Sequence, residues 1–168
     1  MKTHPRRMLT INEAGYLEPN TAIPSDLTEM EKTFVIEYSS VERSALFEMY
    51  QQYIEDLKQL CGDTPLRQWI NGSFITKRKP RPSDIDMVTF IDSHTVQKLG
   101  EKLRPFVYPQ SKSNYPGIDA YIVEVYPEDS NKFMLFKSDT AYWHNQFDTT
   151  RRNRQGQKEP KGFLEIIH

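Results

Sequence analysis

Apolar residues recur at helical spacing most clearly over residues 41–60. There Val41, Ala45, Leu46, Met49, Tyr53, Leu57 and Leu60 make one stripe. Ser39 followed by Glu42 is a capping box ahead of that helix, and Gly62 supplies its stop. An earlier box, Thr28 with Glu31, predicts a shorter helix through about Tyr38. Beyond Gly62 the period changes. Leu66–Asn71 is a short apolar run ending at Gly72, Asp84–Ile91 alternates and then runs apolar, and Ile118–Tyr126 is rich in β-branched and aromatic residues. Each predicts a strand. Asp92 or Ser93 caps a helix expected over about 94–104, with Val96, Leu99 and Leu103 inward. Ser138 caps another reaching about Phe147. Phe163–Ile167 is a last short strand. Residues 1–25 hold three prolines and little periodicity, so they read as an extended arm ahead of one domain over 26–168. The order α, α, β, β, α, β, α, β, without internal repeats, predicts a single α/β (α+β) domain.

Composition adds few exclusions. The chain has 168 residues, 37% of them hydrophobic, and no apolar run long enough for a transmembrane helix. Met1–Asn12 lacks the apolar stretch of a signal peptide, and Cys61 is the sole cysteine, so neither a disulfide nor a cysteine-based zinc site is available. A cytoplasmic protein is the expectation. The net charge of −1 argues against a generic nucleic-acid binder until its distribution is considered. Residues 1–7 carry +3, residues 77–82 carry +4 and residues 151–161 carry +4, so the rest of the chain carries −12. Neutrality here is a cancellation between basic patches and an acidic body.

The densest chemistry lies between Trp69 and Met87. A strand ends at Gly72-Ser73, and twelve positions after the glycine Asp84-Ile85-Asp86 opens the next strand. Alternation puts Asp84 and Asp86 on one face, about 7 Å apart along it. Two carboxylates that close repel each other and suit a divalent cation; Mg²⁺ takes oxygen ligands, commonly one or two carboxylates plus substrate phosphates. Gly72 lets an anion approach the backbone, and Ser73 offers it an N–H and a hydroxyl. Phosphate cradle and Asp pair together suit two-metal phosphoryl or nucleotidyl transfer. A third carboxylate is expected from the strand at 118–126. Asp119 and Glu124 face opposite sides, so one of them can join; Asp119 is favoured, Glu124 being readable as a solvent-face residue.

These residues resemble the nucleotidyltransferase superfamily, whose fold is that of polymerase-β-like enzymes. The Gly-to-Asp spacing is similar to that of the minimal nucleotidyltransferases, small bacterial proteins often encoded beside a toxin partner. The longer strings Trp69-Ile70-Asn71-Gly72-Ser73-Phe74, Pro82-x-Asp84-Ile85-Asp86 and Lys161-Gly162-Phe163-Leu164-Glu165-Ile166 resemble a narrower family of small bacterial nucleotidyltransferase-like proteins. The resemblance implies a mixed sheet of about four or five strands flanked by helices. It implies that Gly72 and Ser73 hold a nucleoside triphosphate, that Asp84 and Asp86 bind Mg²⁺ or Mn²⁺, and that Asp119 ligates the catalytic metal and helps activate the attacking hydroxyl. The implied activity is transfer of a nucleoside monophosphate to a hydroxyl of a protein or RNA, in a toxin–antitoxin or phage-defence setting. The alternative is an inactive antitoxin or scaffold of the same fold that binds a protein partner. The minimal enzymes carry a second glycine five residues after the first, where this chain has Lys77.

Several features keep two readings. The 77–81 cluster, with Lys77 and Lys79, either clamps nucleotide phosphates or RNA, or is a solvated hairpin tip. The 151–161 stretch reads as a solvated loop more readily than as a binding element. Tyr142, Trp143 and Phe147 read as core rather than a base-stacking platform, His144 as structural or exposed, and Cys61 as buried and inert.

Overall fold

The computed structural model describes residues 8–168; the basic cluster at 1–7 lies outside them. Strands β1 (Thr10–Ile11) and β2 (Leu17–Glu18) form a small antiparallel ribbon. A second, mixed sheet has the order β3-β7-β4-β5-β6, with β3 at Ala22–Pro24, β4 at Arg67–Asn71, β5 at Ile85–Asp92, β6 at Ile118–Val125 and β7 at Phe163–Ile167. β5 and β6 run parallel, as do β3 and β7, while β4 is antiparallel to both of its neighbours. The expected mixed α/β sheet is therefore present, with five strands.

The helices are α1 (Leu27–Glu31), α2 (Val41–Cys61), α3 (Ser93–Leu99), α4 (Gln110–Asn114) and α5 (Phe133–Phe147). The long helix α2 covers one face of the sheet. Its Leu46, Phe47, Tyr50, Tyr53, Ile54 and Leu57 are buried in the same cluster as Ile85, Met87, Ile118, Ala120 and Leu164. The opposite face carries Trp69, Val88, Phe90, Val123 and Phe163 against Phe147 of α5. Alternation sends Asp86 and Asp119 to this second face, because Ile85 and Ile118 belong to the first. No helix among the described residues is long and apolar enough to cross a membrane.

Several boundaries differ from those predicted. The described part of the 1–25 arm is extended but paired: it supplies the ribbon and the edge strand β3, and Leu17 is buried. Strands of two or three residues are too short to show a period. Helix α1 is capped by Asp26, whose carboxylate accepts from Glu29 N–H, rather than by Thr28, and it runs on through a π-helical turn at Lys32–Ile36. Ser40, not Ser39, caps α2, because Ser39 adopts φ 48° and turns the chain. The helix expected over 94–104 ends at Leu99, where Gly100 takes φ 51°, and continues as a 3₁₀ segment containing Pro105. Helix α5 starts at Phe133 rather than Ser138, behind Lys132, which makes no side-chain cap and so left no signal.

Candidate active site

The turn after β4 is built on Gly72, at φ 91°. A Cβ there would stand 2.8 Å from Asp86 N and 3.1 Å from Asp84 Oδ1, so only glycine lets β4 run this close to the start of β5. A short 3₁₀ turn, Ser73–Ile75, follows. Its outgoing loop is held from beneath by Arg43, a fully buried arginine of α2. The guanidinium donates to the carbonyls of Phe34 (3.1 Å), Phe74 (2.8 Å), Thr76 (2.7 Å) and Lys79. No carboxylate among the described residues partners it. Four carbonyl dipoles, with the Tyr38 ring 4.2 Å from its carbon, compensate the charge instead.

Asp84 follows the loop. Its Oδ1 accepts from Ser73 N–H (3.1 Å) and Ser73 Oγ (3.0 Å), and its Oδ2 from Ser83 Oγ (3.1 Å). Both Ser73 donors, expected to face a triphosphate, are thus engaged by Asp84, and Ser73 Oγ also accepts from Ser83 N–H at 3.1 Å. Burial pushes the Asp84 carboxyl up, but these hydrogen bonds and the Arg151 charge outweigh it and hold Asp84 below the usual carboxylate range.

Asp86 pairs across the sheet with Asn71 on β4 and with Asp119 on β6. Asp84, Asp86 and Asp119 each bring a carboxylate oxygen within 4.8 Å of the others. Burial, then the charges of Asp84 and Asp119, raise the Asp86 pKa from its ordinary 3.8 to about 6, with Arg151 and Lys161 opposing. Asp119 Oδ2 accepts from Lys112 Nζ at 3.4 Å. Its Oδ1 is buried and accepts no hydrogen bond among the described residues, although Lys112 Nζ makes an ion pair with it at 3.3 Å. Asn71 Oδ1 is likewise buried without a donor among the described residues. Of the two carboxylates weighed for the third position, Asp119 joins the cluster, while Glu124 sits on the opposite face of β6 and accepts from Tyr126 OH.

The basic loop does not reach this cluster. Lys77 is paired with Glu37, Arg78 with Glu159 (3.3 Å) and Arg81 with Glu42 (3.4 Å), while Lys79 is exposed and lends only its carbonyl, to Arg43. The cations whose charges do act on the aspartates are Lys112, Arg151 and Lys161. The last two lie in the stretch read as solvated loop. Arg151 is exposed as expected, but Lys161 is 8% exposed. It stands two residues before β7, so the alternation expected for Phe163–Ile167 does not place it.

An aromatic ledge borders the cluster. Tyr121, two residues beyond Asp119 on the same face, stacks on Tyr108 at 5.8 Å and meets Trp143 at 4.5 Å. Of the three aromatics expected in the core, Phe147 is buried, Trp143 half-buried and Tyr142 exposed at 57%. His144 is half-exposed against the Trp69 and Phe163 rings, and Cys61 is buried, with burial pushing its thiol pKa up.

Neither the curated proteins nor the solved structures contain a match to this chain. A family model does match, from residue 9 to residue 167, and it spans both halves of the site and every strand of the two sheets. The chain belongs to that family, DUF6932, a family of unknown function.

Proposed function

We propose that this protein is a divalent-metal-dependent nucleotidyltransferase, which moves a nucleoside monophosphate from a nucleoside triphosphate to a hydroxyl of a protein or RNA. The observation that carries the reading is the meeting of Asp84, Asp86 and Asp119 within 4.8 Å on the ends of two parallel strands, beside a turn that only glycine permits. The donor set suits Mg²⁺ or Mn²⁺, being all oxygen and anionic, with Asp119 Oδ1 buried, 3.3 Å from Lys112 Nζ and accepting no hydrogen bond among the described residues. Asp84, Asp86 and Asp119 would hold the ion. When bound, it neutralises the crowded carboxylates and polarises the phosphoryl group under attack.

The chain's own groups divide the remaining work. Ser73 and Ser83 fix Asp84 through three hydrogen bonds and keep it ionised. Arg43 locks the loop that carries those serines. Asp119, paired with Lys112, is the carboxylate placed to draw the proton from the attacking hydroxyl. The hydroxyl oxygen then forms a bond to the α-phosphorus as the bond to pyrophosphate breaks. A cytoplasmic location, where nucleoside triphosphates are abundant, goes with this reading.

The test is incubation with each α-labelled triphosphate, Mg²⁺ and cell lysate. Label should enter a macromolecule with the wild-type protein and not with the Asp84→Ala, Asp86→Ala double variant. Equal labelling by the two, or metal binding by calorimetry that survives the double substitution, rejects the reading.

A further inference from the structure

We infer that Lys161 and Arg151, carried on the 148–161 hairpin, are the groups that hold the polyphosphate of the substrate, in place of Ser73 and the basic loop at 77–81. The inference rests on the nucleotidyltransferase reading for the identity of the ligand, and on geometry for the residues.

A polyphosphate beside the three aspartates needs donors that are not already committed. Ser73 gives its N–H and its hydroxyl to Asp84. Lys77, Arg78 and Arg81 are each paired with a glutamate outside the cluster, and Lys112 is bound to Asp119. Lys161 is buried, its Nζ has no ion-pair partner among the described residues, and the acidic charges acting on it are those of Asp86 and Asp84. The Lys161 side chain is buried along most of its length and its Nζ is left without a hydrogen-bond or ion-pair partner among the described residues, so it is free to take an anionic ligand as its counter-charge. Burial brings its pKa down to about 8, so it is still mostly protonated near neutral pH. Arg151, on the other limb of the hairpin, acts on the same two aspartates, is exposed, and forms no ion pair among the described residues.

Sheet register fixes the direction of approach. β7 pairs with β4 so that Leu164 lies opposite Ile70, the last pair of that ladder, and Asn71, next on β4, pairs with Asp86; the start of β7, with Lys161 two residues before it, is therefore at the same end of the sheet as the aspartates. Phe163, the first residue of β7, faces the side of the sheet that Asp86 and Asp119 also face. The hairpin is pinned at its neck: Lys161 N–H donates to Asp148 O (2.9 Å), Thr150 N–H to Glu159 O (2.8 Å) and Glu159 N–H to Thr150 Oγ1 (3.0 Å). The next residue, Gly162, donates to Leu17 O at 2.7 Å and passes so near Pro19 O that a Cβ would collide with it. The backbone on both sides of Lys161 is therefore fixed at the β7 end of the site.

The test is equilibrium binding of inorganic tripolyphosphate and of ATP to the full chain with Mg²⁺ present. Lys161→Gln and Arg151→Gln are each expected to weaken both ligands, Lys161→Gln by about tenfold or more, the range of a lost charge-assisted hydrogen bond. Lys77→Gln and Lys79→Gln are expected to stay within about twofold, as solvated charges do. Affinity unchanged in both hairpin variants, or lost equally in the 77–81 variants, overturns the inference. Arg151 is exposed, so its variant remains decisive even if Lys161→Gln alters folding, which a thermal melt reveals. Failure of the underlying reading looks different: tripolyphosphate binds and responds to Lys161, yet no triphosphate labels an acceptor. A wild-type protein that binds neither ligand rejects both.

Discussion

Asp86→Asn should make the metal-free protein more stable. Asp86 is the most compromised carboxylate in the cluster: burial and two neighbouring aspartates raise its pKa from 3.8 to about 6. The folded state therefore binds its proton more tightly than the unfolded chain does. By linkage the penalty is absent below about pH 4, grows as pH rises between about 4 and 6, and is complete above that window. Each pH unit across that window is worth about 1.36 kcal/mol, which gives an upper bound of about 3 kcal/mol near pH 7. Solvent at the partly open site brings the expectation to about 2 kcal/mol. For a chain of this size that corresponds to a rise in melting temperature of about 4–8 °C. The assay is thermal unfolding followed by circular dichroism in EDTA, at about pH 7.5 and about pH 4.5, for wild type and variant. Only the difference between the proteins is diagnostic, because His168 also titrates in this range. Buried beside Tyr50 and Gln68, it has its pKa lowered to about 4 by burial and by Lys58, so its contribution is lost as pH falls from 6.5 through about 4. The Asn variant should gain at about pH 7.5 and lose most of that gain at about pH 4.5. Mg²⁺ should then reverse the order, since a ligand at 100 times its Kd stabilises the protein that binds it by about 2.7 kcal/mol. A variant that melts no higher than wild type in EDTA, or whose gain persists at low pH, refutes the charge-repulsion argument.

Three further outcomes follow from the same geometry. Asp119→Asn should weaken Mn²⁺ binding by about tenfold or more while Glu124→Gln leaves it unchanged, because only the former faces Asp86; calorimetric titration separates them. Gly72→Ala should cost about 1–3 kcal/mol in denaturant melts and abolish metal binding, since its Cβ would meet Asp86 N at 2.8 Å from a backbone at φ 91°. Arg43→Ala should cost about 3–5 kcal/mol by leaving the Phe34, Phe74, Thr76 and Lys79 carbonyls without their donor. It should also open the 76–81 loop to limited proteolysis, which would stay intact if that loop were held by its surface ion pairs instead.

What could be read from the sequence follows from how local each signal is. Strands β4, β5, β6 and β7 and helix α2 each carry five or more residues of clear period, and all stand within one residue of their expected limits. Asp84 and Asp86 were legible because residues two apart along an extended chain share a face, and Asp119 because strand parity separates it from Glu124. The third-strand assignment nevertheless depended on β5 and β6 being register neighbours, a fact held only in the fold. The roles of Ser73, Lys77 and Lys161 were not legible for a common reason. Each depends on a partner distant in sequence: Ser73 on Asp84 turning back to it, Lys77 on Glu37 at the end of the π-helical turn, Lys161 on the start of β7 lying beside the end of β4. Arg43 is the extreme case. It sits in an amphipathic helix where arginine is an ordinary surface residue, and only the packed loop makes it a buried strut.

The charge pattern takes on a different meaning once pairing is known. Summed along the chain, the +4 at residues 77–82 is the natural place for an anionic ligand. In the fold, Glu37, Glu42 and Glu159 neutralise three of its four cations. Glu159 belongs to the second basic patch, so Arg78 ties the two patches together and takes that patch's only acid out of play around the hairpin. The field at the acidic cluster is then set by three carboxylates facing Lys112, Arg151 and Lys161, a near balance of fixed charges without any ligand. A metal ion alone adds positive charge to that balance, and a polyphosphate alone adds negative charge; arriving together, each offsets part of the other. Metal and triphosphate are accordingly expected to bind with positive coupling, each tightening the other, and the coupling should shrink when Lys161 is made neutral.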